Sequence, residues 1–316
     1  MCTAVNYNTN SHYFGRNLDV TCCYGESVVI TPRQFMFSMR NTQSFSSQYA
    51  MIGMAKVTDS YPLYFEASNE KGLSIAGLNF PNHAYYHTIQ KEKTNLSPFE
   101  LIPWILGQFE SISNLRHALC NLNIVDVAFN ENMPLTPLHW MIADENDCIV
   151  LESEKDGLKI YENPFGVLTN NPPFHYHMMN MNNYMHLHER TAENHFDANI
   201  LFDNYSLGLG ALGLPGDFSS CSRFVKAAFV KTKSPANLND NESVDQFFHI
   251  LGTVAMPKGC VFTQNGEIEY TSYSCCYSNK NKTYYYKTYN SRTITQICMT
   301  DEHMNSNELQ VFELLR

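Results

Sequence analysis

Residues 1–19 read MCTAVNYNTNSHYFGRNLD, and the fold is decided here. CTAVNY (2–7) alternates as a strand does, Asn8–Ser11 supply turn residues, and HYFGRNLDV (12–20) resumes the extended pattern. A hairpin therefore begins at the second residue, with Cys2 at a strand edge rather than in a tail. The opening lacks the basic and apolar regions of a secretory signal.

Working outward, SVVITPR, YAMIGMAKV, LYFEASN and LSIAGLNF have strand character, the last two joined through Glu70-Lys71-Gly72. The period then changes. Ser97-Pro98-Phe99-Glu100 combines a capping hydroxyl, a proline in the first turn and a glutamate three residues on, so helices are expected through FELIPWILGQF and SISNLRHALCNL. LHWMIADENDCIVLESEKDGLKIYEN returns to strands. NPPFHYHMMNMNNYMHLHER is expected to be helical after its prolines, as are SRFVKAAFV and VDQFFHILGTVAM. The closing IEYTSYSCCYSNKNKTYYYKTYNSRTITQICM is β-rich. Blocks of strands and helices without repeat or linker predict an α+β fold, sheets covered by helices, with residues 2–316 as one domain.

The 316 residues are 44% hydrophobic and 16% charged, with a formal charge of −10 that argues against nonspecific nucleic-acid binding. An anionic ligand would depend on local arginines. No stretch approaches the roughly 18 apolar residues of a membrane span, so a cytoplasmic protein is expected. The ten cysteines contain no CxxC pair and are expected to be reduced thiols, not a disulfide or zinc framework. His175, His177, His186 and His188 form two HxH pairs. On a helix, residues i and i+2 point apart and no HExxH is present, so no metal is expected. GLGALGLPGDFSSCSRF (208–224) lacks the GK[ST] ending of a phosphate loop, and no nucleotide cofactor is expected.

Removal of Met1 would leave Cys2 with two reactive groups on one residue, a thiol of pKa about 8.5 and an α-amine near 8. Such a residue needs no separate histidine, because its own amine accepts the thiol proton. The alternative is a small residue at a strand start. Arg16 and Asp19 lie on the strand paired back onto Cys2, where arginine would favour thiolate and aspartate would orient the amine. Three residues apart, they reach one site if the strand bends near Asn17-Leu18; otherwise they are solvated turn residues. GLNFP (77–81) and GVLTNNPPF (166–174) place Asn79 and Asn170 where strands run into proline loops, as oxyanion donors or as turn residues. Arg223 falls in the first turns of a Ser-capped helix, either solvated or facing the site.

These stretches together resemble the choloylglycine hydrolase family of N-terminal nucleophile hydrolases, which includes bile salt hydrolases and penicillin V acylases. The resemblance runs nearly end to end, through MCTA, YFGRNLD, NEKGLSIAGLNFP, LHWMIAD, GVLTNNP, GLPGDFSSCSRF, QFFHILG and TYYYKTY. It implies a four-layer αββα fold, a homotetramer, amide hydrolysis without metal or cofactor, and a bent strand bringing Arg16 and Asp19 beside the thiol and amine. By the same resemblance Cys2 is the nucleophile. The Asn79 backbone N–H and the Asn170 side chain build the oxyanion hole, and Arg223 is the second active-site arginine. Asn79 resembles the bile salt hydrolase form, where penicillin V acylases often carry Tyr. Cys22, Tyr24 and the 58–65 region would suit a steroid face. The substrate expected is a glycine- or taurine-conjugated bile salt. A penicillin V or N-acyl-homoserine-lactone acylase is the alternative, and a noncatalytic ligand- or metal-binding protein a more distant one.

Overall fold

The computed structural model describes residues 1–315. Among them, two antiparallel sheets carry the architecture. In chain order the strands are β1 (Cys2–Asn8), β2 (His12–Val20), β3 (Ser27–Thr31), β4 (Met51–Thr58), β5 (Tyr61–Asn69), β6 (Ser74–Asn79) and β7 (Leu138–Ala143). They continue with β8 (Cys148–Glu154), β9 (Gly157–Glu162), β10 (Val167–Leu168), β11 (Tyr270–Ser278), β12 (Thr283–Thr288), β13 (Thr295–Cys298) and β14 (Gln310–Glu313). The first sheet runs β10-β1-β2-β11-β12-β13 and the second β9-β8-β7-β6-β5-β4-β3-β14. The helices are α1 (Leu101–Gln108), α2 (Ile112–Leu119), α3 (Phe174–Asn180), α4 (Ser220–Lys233), α5 (Asp240–Gly252) and the single turn α6 (Asp301–Met304).

β1 and β2 are buried on both faces, which a strand with water on one side would not be. One apolar cluster explains this: Val5, Leu18, Ile52, Leu78, Phe224, Phe247 and Leu251 join both sheets to α4 and α5. A second cluster, with Val29, Ile75, Trp140, Ile105 and Leu115, covers the far face of the second sheet with α1 and α2. The layers are therefore helices, sheet, sheet, helices, the αββα arrangement that the resemblance implies. No helix among the described residues is long and apolar enough to cross a membrane.

Local chemistry accounts for the boundaries. Glu100 Oε2 accepts the Ser97 N–H at 2.8 Å, closing the capping box ahead of α1. Asn239 and Glu242 form the same device at α5, and Ser219 caps α4. The helix expected through 172–190 is shorter than its sequence suggests. It ends as α3 plus a 3-10 turn at Met181–Tyr184, and the chain is irregular from there to Gly208. Only Phe174 and His177 of α3 are buried, so the Asn/His-rich continuation has no apolar stripe to dock. The edge strand β14 carries no sequence signal beyond Val311 and Phe312.

His12 begins β2, fully buried, and burial pushes its imidazole from 6.5 down to about 4. A folded state that resists protonation is favoured above the unfolded pKa and loses that advantage as pH falls from about 6.5 toward 4, a change of about 3 kcal/mol. Urea unfolding at pH 7, 5.5 and 4 should show this decline, with a shallower slope in His12→Gln.

Candidate active site

The site is set by hydrogen-bond alternation at the start of β1. Asp19 N–H donates to Met1 O at 2.9 Å, and the Met1 ammonium donates to Asp19 O at 2.8 Å. The following pair, Cys2 opposite Leu18, is consequently a non-hydrogen-bonded one, and the Cys2 peptide groups point away from β2. There the Cys2 N–H donates to Asn170 Oδ1 at 2.8 Å, while Cys2 O accepts Arg223 Nη1 at 2.5 Å.

The second sheet meets this point by the same logic. Phe80 N–H donates to Pro137 O at 2.8 Å, so the preceding pair, Asn79 with Leu138, is non-hydrogen-bonded. The Asn79 N–H and C=O turn from β7 toward Asn170, whose Nδ2 donates to Asn79 O at 2.7 Å. Its Oδ1 takes both Cys2 N–H and Arg223 Nη2, the latter at 2.8 Å, so partners on both sides fix the amide's orientation. Ser220 Oγ accepts the Asn170 N–H at 2.8 Å.

Pairing of β5 with β6 stops at Glu66 and Ala76, and Arg16 occupies the resulting splay. Its Nη1 donates to Gly77 O at 2.5 Å and Phe65 O at 3.2 Å and lies 3.8 Å from Glu66 Oε2. Glu66 also accepts from Tyr273 at 2.7 Å and Tyr284 at 2.6 Å, with the Cys275 thiol at 3.5 Å. Burial works against the Arg16 charge, but Cys2, Tyr273 and Glu66 outweigh it and move its pKa up.

β2 runs unbroken from His12 to Val20, through the Asn17-Leu18 point where a bend was expected. The irregularity lies in the neighbouring strand, where the β11 register shifts between Thr271 and Tyr273. Alternation therefore holds. Arg16, opposite Ala4, shares the Cys2 face, while Asp19 lies on the other. Both still flank Cys2, because the first residue of a strand is reached from either side. Asp19 Oδ1 accepts from Thr271 at 2.6 Å, and its Oδ2 lies 4.0 Å from Arg223 Nη1, which also donates to Thr3 Oγ1 at 2.7 Å. Burial raises the Asp19 pKa against the pull of Arg223, and burial also lowers those of Arg223 and the Met1 ammonium. Met1 pairs its ammonium with Glu269 as well. With Met1 in place, the Cys2 nitrogen is an amide.

All six sequence candidates thus gather at one point: Cys2, Arg16, Asp19, Asn79, Asn170 and Arg223. Thr271, Glu66 and Ser220 join them without having been singled out. Glu66 had the clearest signal, a carboxylate inside the apolar run of LYFEASN, but its tyrosine partners come from strands 200 residues away. Arg16 Nη2 and Asp19 Oδ2 are buried without a hydrogen-bond partner. Tyr24, half exposed, and Phe65 bring their rings within 5.8 Å in the early-loop region. The four clustered histidines do not converge. His177 is buried in α3, Nε2 to Asn170 O at 2.9 Å, and burial pushes its pKa down to about 4. Among the described residues no three His, Cys, Asp or Glu side chains gather as a metal site.

Comparison with known proteins bears on the same residues. The family model for linear amide C–N hydrolases of the choloylglycine hydrolase family matches residues 2–312. A bile salt hydrolase/transferase from Lactiplantibacillus plantarum is 48% identical over 314 residues, 99% of this chain and 97% of the relative. The structure of the C2A variant of conjugated bile acid hydrolase from Clostridium perfringens superposes with a TM-score of 0.91 at 35% identity, covering 100% of this chain and 97% of that one. Penicillin V acylase from Agrobacterium tumefaciens, 19% identical over 99% of this chain and 91% of its own, shares the fold with a TM-score of 0.80. The chain that turns its second residue toward Asn170 and Arg223 belongs to the choloylglycine hydrolase family of linear amide C–N hydrolases.

Proposed function

We propose that the protein is a bile salt hydrolase that cleaves the amide of glycine- or taurine-conjugated bile salts, with Cys2 as an N-terminal nucleophile. One observation carries this: the nitrogen, carbonyl and thiol face of Cys2 are each met by a different buried polar group. The names of the relatives support the substrate class. Removal of Met1 frees the Cys2 nitrogen as an amine whose oriented partner, Asn170 Oδ1, is already 2.8 Å away. That amine takes the thiol proton, and sulfur attacks the amide carbonyl while Arg16, on the same face, stabilises the anion. The oxyanion rests on the outward Asn79 N–H and the second N–H of the Asn170 amide, each such donor typically worth about 2.7–4 kcal/mol. The amine returns the proton to the departing glycine or taurine nitrogen, and water then hydrolyses the thioester. Asp19 and Arg223 fix the Cys2 end of the strand. Tyr24 and Phe65 offer an apolar wall for a steroid, and the two arginines suit an anionic substrate in a chain of charge −10.

In the same reading, 2–316 is one domain working in the cytoplasm as a homotetramer. Ten cysteines without a CxxC pair suit a reducing compartment. Phe196, Leu201, Phe202, Tyr205 and Leu207 are all exposed, Leu201 at 96%, and such a patch suits a subunit interface.

Purified protein should release free bile acid from glycocholate or taurocholate faster than it opens phenoxymethylpenicillin. Intact mass should show Met1 absent in the active form, and Cys2→Ala should lower kcat by at least about 1,000-fold. Negligible bile-salt turnover beside rapid penicillin hydrolysis would move the assignment to an acylase. Light scattering should give a tetramer, and Leu201→Asp with Leu207→Asp should shift it to smaller species; a monomeric parent protein would remove this part of the reading.

A further inference from the structure

Behind the site lies a buried, hydrogen-bonded side-chain pair that the chemistry above leaves unused. His139 of β7 and Glu152 of β8 are both fully buried, with Nδ1 and Oε1 2.9 Å apart. The other ring nitrogen, Nε2, faces Thr169 O at 3.0 Å. The ring is thus held at both nitrogens, between the Glu152 carboxyl group and the Thr169 carbonyl. Glu152 is in turn held by the Phe174 N–H, at 3.0 and 3.1 Å to its two oxygens.

The pair grips both ends of one loop and the flank of another. Thr169 precedes Asn170, and Phe174 opens α3 just beyond it. The His139 ring lies flat on Phe80, the residue after Asn79, with centroids 4.3 Å apart and planes inclined by 5°. One side chain therefore touches the neighbours of both residues that face the reacting carbonyl. The two loops are laced together above it, Asn170 Nδ2 to Asn79 O at 2.7 Å and Asn171 Nδ2 to Pro81 O. His177 holds Asn170 O from the helix side. An apolar pair of similar volume would fill this space; what the directional bonds to the ring and to the carboxyl group add is a fixed geometry.

We propose that His139 and Glu152 are positioning residues that set the spacing between the Asn79 N–H and the Asn170 amide, and hence the fit of the oxyanion pocket. This rests on the reading of Cys2 as nucleophile. It assigns the pair to the transition state, not to substrate binding or thiol activation. Misplacement of donors by a fraction of an ångström to 1 Å lowers the chemical step while leaving ground-state affinity nearly intact.

The test uses His139→Gln and the near-isosteric Glu152→Gln in the full, Met1-processed protein. For glycocholate, kcat should fall by about 10- to 100-fold with KM within about 3-fold. The rate of Cys2 alkylation by iodoacetamide, which forms no oxyanion, should stay within about 2-fold. Amide hydrogens of 79–81 and 169–174 should exchange at least about 10-fold faster, those of β1 and β2 unchanged. Glu152→Gln should retain more activity than Glu152→Ala, and it serves as the deciding variant if His139→Gln does not fold. Wild-type kcat and exchange in folded variants would overturn the proposal. So would parallel losses of kcat and alkylation, which mean general loosening around Cys2. Should the wild-type protein turn over no conjugated bile salt, the functional reading fails by itself, and exchange in the two loops still decides the positioning role.

Discussion

The alternation of hydrogen bonds along β1 and β2, which leaves Cys2–Leu18 an open pair beside Thr3–Asn17, is the constraint on which the site depends. A strand exchanges both peptide bonds with its partner at every second residue and turns them outward at the others. Cys2 occupies an outward position, so its nitrogen and carbonyl are free to meet Asn170 and Arg223. A slip of one residue would bury those groups in the ladder and send the thiol to the helix face. The hairpin at Asn8–Ser11, where Thr9 N–H closes on Ser11 O at 2.9 Å, thus fixes the chemistry at the far end of the strand. Asn79 is outward in the second sheet for the same reason, which lets two sheets contribute to one pocket.

Burial gives the electrostatics their character. Arg16 and Arg223 are both excluded from water, each beside one carboxylate, in a chain whose overall charge is negative. Two buried arginine–carboxylate pairs, not the net charge of the chain, are therefore the charges nearest Cys2. The orphaned Arg16 Nη2 is the donor not yet spoken for on the thiol side.

Much of this was legible in the sequence. The early alternation of CTAVNY and HYFGRNLDV marks β1 and β2, and Ser97 with Glu100 marks the start of the α1 region, because capping and alternation are local. The six candidates were readable as residue types placed at strand ends. Their arrangement was not: three-residue spacing suggests a bend, whereas Arg16 and Asp19 lie on opposite faces of β2 and flank Cys2 from either side. His139 and Glu152 stand out in LHWMIAD and CIVLESE as polar residues among apolar ones, but their meaning lies in Thr169, Phe174 and Phe80, which sequence separation hides. The helix after Pro173 was over-extended because polar periodicity cannot report whether a partner surface exists.

Arg16 has a second role with consequences for how such enzymes diverge. Its guanidinium satisfies the carbonyls of Phe65 and Gly77 where β5 and β6 part, so it closes a gap in the second sheet as well as facing the thiol. Both bonds come from one nitrogen, Nη1, so loss of this single side chain would leave two buried carbonyls without their donor. Selection on fold and selection on chemistry therefore coincide at position 16, and drift there is blocked twice over. Side chains that carry no part of the sheet, such as the half-exposed Tyr24 in the loop beyond β2, are free of this double constraint.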